Sequence, residues 1–148
     1  MLVFILFVFA AFLALILMAG PLFPQAFVAD HATLATANTN RDFSAGTIVT
    51  LATGVAGGKP ITHILISITA TIAADTEIGL ALDNGSIKIP IGAIPIQAYT
   101  PTAREPNRVF MAPLPGGPVA LPTTSDLLLG RIHTTDTIKA RPASLKFQ

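Results

Sequence analysis

The side chains able to do chemistry are few and scattered. His31, His63 and His133 are the three histidines, and none has another His, Asp or Glu at an i+2 or i+4 spacing that would make a local metal pair. They read as solvent-facing strand or linker residues. Asp75, Glu77 and Asp83 could converge around a hairpin as oxygen ligands for a calcium ion. Asp83 also precedes Asn84-Gly85, where an Asp suits a turn, and that explanation comes first. Asn84-Gly85-Ser86 fits the N-glycosylation acceptor pattern, but a hairpin accounts for the same letters. Ser67 and Ser125 lack the G-x-S-x-G setting of a strained nucleophile. With no Cys there is no thiol nucleophile, thiolate metal site or disulfide. The expectation is a protein that is not an enzyme, with no catalytic, cofactor-binding or metal-binding residue and no small-molecule substrate.

Charge points the same way. Nine basic and eight acidic side chains leave a net charge of +1, and the basic ones are scattered singly from Arg41 to Lys146. No stripe exists that could neutralise many phosphates, so nucleic acid is not an expected partner.

All these charges lie from Asp30 onward, so the 51% apolar composition is an average over two unlike segments. Residues 1–20, MLVFILFVFAAFLALILMAG, carry no charge and no strong polar group. As a helix they would span about 30 Å, the hydrocarbon thickness of a bilayer. Leu2, Phe4, Phe7, Phe9, Phe12 and Leu17 point all around such a helix, leaving no polar face to lie along a membrane surface. Ala10 and Ala14 belong to a small-residue patch where a second helix could approach. Gly20 and Pro21 end the element. No Lys or Arg precedes the run, and Leu17-Met18-Ala19 lacks the small residue that cleavage prefers, so a retained transmembrane or assembly helix is expected rather than a signal peptide. Its partners would be a lipid bilayer, copies of itself or other structural proteins of an assembly.

Residues 21–45 show neither alternation nor helical period and read as a linker. Residues 46–148 read as one β-domain. GTIVTLAT (46–53) gives a β-branched strand and GVAGGKP (54–60) a turn. In ITHILISITATI (61–72), Ile64, Ile66, Ile68, Ala70 and Ile72 share one face and Ser67, Thr69 and Thr71 the other, a period of two that a helix cannot produce. EIGLAL and SIKIPI flank Asn84-Gly85, the favoured pair for a type I′ hairpin turn. Pro90 lacks an amide donor and should lie on an edge strand or end one. AIPIQAY, NRVFMAP, DLLLGRI, DTIKA and SLKF complete eight or nine short strands divided by turns such as PLPGGPVALP. The expected fold is all-β, an antiparallel sandwich of jelly-roll or immunoglobulin-like type preceded by one N-terminal hydrophobic helix. Ile64, Ile66, Ile68, Leu80, Leu82, Ile87 and Ile89 are expected in its core, with Thr69 outside.

The run ITHILISITATIAADTEIGLALDNGSIKIPIGAIPI, followed by RVFMAPLP and SDLLLGRIHTTDTIKARPASLKF, resembles the small sandwich domains of bacteriophage virion proteins over about residues 46–147. Joined to the apolar N-terminus, it is similar to membrane-anchored minor capsid or vertex proteins of phages with an internal lipid layer. The resemblance implies a structural role in a virion, with the β-domain outside the lipid. The type IV pilin family is also similar, in joining a hydrophobic N-terminal helix to an outward β-domain on a filament or cell surface. Ile5 stands where that family has Glu, and the apolar run stops at Gly20 where pilin helices commonly run further.

Overall fold

The computed structural model describes residues 31–143 apart from Gly57. The expected helix of residues 1–20, with Leu2, Phe4, Phe7, Phe9, Ala10, Phe12, Ala14 and Leu17, lies outside the described residues, as does the expected strand SLKF.

Among the described residues, ten strands form from β-branched and alternating stretches bounded by Gly and Pro. In chain order they are β1 (Ala32–Leu34), β2 (Val49–Thr53), β3 (Lys59–Ile61), β4 (His63–Ile68) and β5 (Thr76–Asp83), then β6 (Lys88–Ile96), β7 (Arg108–Pro113), β8 (Val119–Leu121), β9 (Leu127–Ile132) and β10 (Ile138–Ala143). No helix occurs among the described residues. One four-stranded sheet has the order β1-β10-β4-β7, a second the order β2-β9-β5-β6, and β3 pairs with β8 in a small ribbon. Every strand pair is antiparallel.

The alternation in β4 decides which residues meet the core. Ile64, Ile66 and Ile68 are fully buried, while His63, Leu65 and Ser67 are half-buried on the other face and Thr69 is exposed. The three isoleucines join Ile78 and Leu80 of β5, Ile94 and Ile96 of β6 and Leu128 and Ile132 of β9 in one hydrophobic cluster, to which Ile61 and Leu121 add the ribbon. Both four-stranded sheets therefore bury their apolar faces in a common core. Burying each such side chain contributes roughly 1.5–3 kcal/mol.

The hairpin between β5 and β6 forms, but its centre lies one residue later than a type I′ turn on Asn84-Gly85 would place it. The Asn84 amide donates to the Ile87 carbonyl at 3.4 Å, leaving Gly85 and Ser86 as the central pair. Gly85 has φ +84° and Asn84 does not have positive φ. Glycine at the first central position is the type II′ preference, and it spares Ser86 a left-handed conformation. The Gly85 amide donates to Asp83 Oδ1 at 2.8 Å, and Asn84 Oδ1 accepts from the Ser86 and Ile87 amides.

Register follows from that turn. Leu82 pairs with Ile89, and a bulge then leaves Ile91 without an opposite number, so Leu80 faces Gly92, Ile78 faces Ile94 and Thr76 faces Ile96. The expectation that Ile87 and Ile89 are core residues is wrong: they are 61% and 53% exposed. They sit at the tip of an edge strand, while Ile94 and Ile96 take the buried places. Leu82 is half-buried against the core. Pro90 lies on that edge strand, where its missing amide costs no ladder bond.

Residues 21–45 are not a linker throughout. Ala32–Leu34 pair with Ile138–Ala140, Ala37 bridges Ile132 in parallel, and the loop that follows brings Phe43 onto the outer face of the β2-β9-β5-β6 sheet. There Phe43, with Ile48, covers Ala81 and Leu129. That cover explains why the centre of β5 is buried on both faces. The loop shows no period because it is held by side-chain bonds instead of a ladder.

Candidate functional site

Most of the polar side chains that sequence singled out stand apart. Asp75, Glu77 and Asp83 are strung along β5 and the residue before it, about 25 Å from end to end at the rise of an extended strand, so they do not converge on a cation. Each is already occupied. Asp75 Oδ1 accepts from the Ala98 amide, Glu77 Oε1 from Arg131, and Asp83 Oδ1 from the Gly85 amide. Among the described residues no group of three or more His, Asp or Glu is placed to hold a metal ion. His31 is exposed before β1, His63 lies on the outer face of β4 with Nδ1 2.9 Å from Thr62 Oγ1, and His133 follows β9. Ser67 is on β4 and Ser125 in the turn between β8 and β9.

A densely connected polar cluster centres on Arg131, which is 3% exposed. It lies on β9 in LLLGRI, a run otherwise fit for burial. Its Nη2 donates to Glu77 Oε1 at 2.9 Å and its Nη1 to the Asn38 carbonyl at 2.9 Å. The guanidinium lies over the Phe43 ring, 5.7 Å from the centroid. On its other side is Gly79, where a Cβ would come within 2.7 Å of Arg131 Nε. Only glycine leaves room for the flat guanidinium to cross β5. Arg131 Nε and His133 Nδ1 are buried without a hydrogen-bond partner. Arg41, mostly exposed, adds a looser contact to Glu77 at 3.7 Å.

Asn38 joins this cluster to the loop. Its Nδ2 donates to the Ala45 and Thr47 carbonyls, its Oδ1 accepts from the Asn40 amide, and its own amide donates to the Ile132 carbonyl. Asn40 Nδ2 donates to Ser44 Oγ, and Asp42 Oδ1 accepts from the Ser44 amide. The hydrogen bonds from Ser44 hold the Asp42 carboxyl below its ordinary pKa. This lattice fixes Phe43 at φ +60°, a conformation disfavoured for an aromatic residue. With its guanidinium held between Phe43 and Gly79 and each Nη bonded, to Asn38 and to Glu77, Arg131 pins the loop to the sheet.

Sequence reasoning missed Arg131, Asn38 and Phe43. The signal for Arg131 was its place inside an apolar strand, since a charge there needs a buried partner. Nothing local marked Asn38 or Phe43: Arg131, which bonds the Asn38 carbonyl, is 93 residues away, and Phe43 packs on Ala81 and Leu129 from distant strands.

Tyr99 gives a direct test of local packing. It pairs with Ile72, its hydroxyl donates to the Glu105 carbonyl at 2.6 Å, and Arg108 stacks near its ring. Burial first, and the Glu105 charge second, push the phenol pKa above its ordinary value. Folding thus favours the neutral phenol. Its contribution is complete below the unfolded value of about 10 and fades as pH rises beyond it. Tyr99 is the one tyrosine and there is no tryptophan, so near-ultraviolet absorbance titrates it alone. The expected midpoint lies above that of the urea-unfolded chain; equal midpoints would show that the ring is not packed as described.

Comparison of the chain with protein-family models, with curated proteins and with solved structures finds no match.

Proposed function

We propose that the β-domain is a jelly-roll sandwich and that the chain is a non-enzymatic structural subunit, a membrane-anchored minor capsid or vertex protein of a virion. The supporting observation is the strand order. With the β3-β8 ribbon set aside, the eight remaining strands in chain order occupy the places first-eighth-third-sixth in one sheet and second-seventh-fourth-fifth in the other. That is the order produced when two nested Greek keys fold into facing sheets, an architecture frequent in viral capsid domains. The link from fold to capsid role is an analogy of architecture. The anchor rests on sequence: residues 1–29 carry no charge, and the β-domain begins immediately after them at Ala32. Twenty apolar residues have no stable place in water, at ~0.8 kcal/mol for each exposed methylene.

The test is reconstitution of the full chain with lipid vesicles. It is expected to float with the vesicles and to stay with them through high salt and alkali. A Phe9→Lys, Leu13→Lys double variant should lose this retention, since each charge at mid-span costs about 2.5–3.5 kcal/mol. Ala10→Leu and Ala14→Leu should leave retention unchanged, because acyl chains accommodate added bulk. A full-length soluble monomer in detergent-free buffer defeats the anchor. Lipid-free filaments disrupted by Ala10→Leu favour the pilin-like alternative, in which neighbouring copies of the helix form the core.

A further inference from the structure

The β1-β10-β4-β7 sheet has an outward face unlike the rest of the domain. Its four strands, ATL, IKARPA, HILISI and RVFMAP, contain no Asp or Glu, whereas the other four-stranded sheet carries Glu77 and Asp83. The register sets out what the outward face presents. One row runs Thr33, Lys139, Ser67, Val109 across the four strands, and the next runs Arg141, Leu65, Met111. Lys139 is exposed and Arg141 half-buried. Val109 and Met111 are 56% and 38% exposed, two of the five large apolar side chains left open to solvent among the described residues. Cationic side chains beside solvent-facing apolar ones, with no acid on the sheet, suit an interface that is anionic at its surface and apolar just beneath.

The chain itself brings such an interface near. β1 belongs to this sheet, and the steps from Gly20 to His31 reach at most about 40 Å even when fully extended. The opposite side of the domain is instead covered by its own loop through Phe43 and Ile48. Resting on the anchored reading above, we infer that the outward face of the β1-β10-β4-β7 sheet docks on the anionic headgroups of the membrane that holds residues 1–20. Lys139 meets the headgroup phosphates, and Val109 and Met111 enter the boundary with the acyl chains. The sheet then lies on the lipid layer, and the loop of residues 38–48 faces away from it.

Because the chain has no Cys, a single introduced one reports a single place. The full chain is prepared as Val109→Cys, as Ser67→Cys in the neighbouring position on β4, and as Thr39→Cys on the far loop, each carrying an environment-sensitive fluorophore. Each is placed in lipid discs of phosphatidylcholine alone or of phosphatidylcholine with phosphatidylglycerol. The expected result is a blue shift at positions 109 and 67 in the anionic discs over the neutral ones, with no shift at position 39. Lys139→Glu in the same chains should abolish the shift. So should raising the salt from about 0.1 M to 1 M, which shortens the screening length from about 10 Å to 3 Å. A chain that enters both kinds of disc but shows no lipid-dependent shift at 109 or 67, or an equal shift at 39, overturns the docking alone. A chain that enters neither disc overturns the docking and the anchor together.

Discussion

Arg131→Met is expected to lower the stability of the β-domain by about 3 kcal/mol, which for a domain of this size moves the thermal midpoint down by roughly 10 °C. The substitution keeps most of the volume and removes the charge. It leaves Glu77 without its 2.9 Å partner, the Asn38 carbonyl without its donor, and the Phe43 ring without its stacked cation. Breaking one side of a buried pair costs about 3–5 kcal/mol, and the lower end applies because the Glu77 side chain keeps 26% of its exposure and can be rehydrated. Arg131→Lys should recover little, since an ammonium cannot reach Glu77 and Asn38 in one plane while lying flat between Gly79 and Phe43. Adding Glu77→Gln to Arg131→Met should recover part of the loss, the mark of a coupled pair. Thermal unfolding of the full chain in lipid discs, followed by circular dichroism, measures all four proteins. A shift under 3 °C for Arg131→Met would mean that the loop holds to the sheet without the guanidinium.

Ile66→Ala should cost as much or more, about 4 kcal/mol within the usual range of 2–5 for a large-to-small core change. Ile66 is fully buried at the middle of β4, flanked by Ala140 of β10 and Phe110 of β7, with Ile64 and Ile68 on the same face. Both flanking strands hold the backbone in place, so the space cannot collapse. Thr69→Ala, at an exposed position just past the strand, should change stability by no more than about 0.5 kcal/mol. Ile89→Ala should behave like Thr69→Ala, because the side chain is already 53% exposed. Chemical denaturation of the three variants separates the outcomes: an Ile89 loss near that of Ile66 would mean that the edge of β6 is covered.

The contrast between Ile66 and Ile89 shows where sequence ceased to be a guide. Both sit in runs with a period of two, and both were read as core. Alternation says which residues share a face. It does not say whether anything lies opposite that face. For Ile66 the neighbouring strands and the second sheet do; for Ile89, at the tip of an edge strand, nothing among the described residues does. The Asn84-Gly85-Ser86 hairpin was legible because a turn depends on adjacent residues, although a one-residue move of its centre and the bulge at Ile91 were needed to bring Ile94 and Ile96 into the core. The small strands β1 and β8 went unread, since three residues give too short a pattern to stand out.

The sequence by itself determined the all-β class of the described domain, the isoleucine face of β4, a hairpin around Asn84-Gly85, a Pro90 that must lie on an edge strand or end one, and a first 29 residues without charge. These are properties of neighbours one to four residues apart, set by backbone sterics, strand pleat and the transfer of side chains from water. Only the tertiary structure decided the strand order, the pairing of Lys139 with Ser67, the cover that Phe43 lays over Ala81, and the enclosure of Arg131 by Glu77, Gly79 and Asn38. Those contacts join residues separated by tens of positions, and the chain reaches them because burying one shared core and satisfying one buried guanidinium constrain all the strands at once.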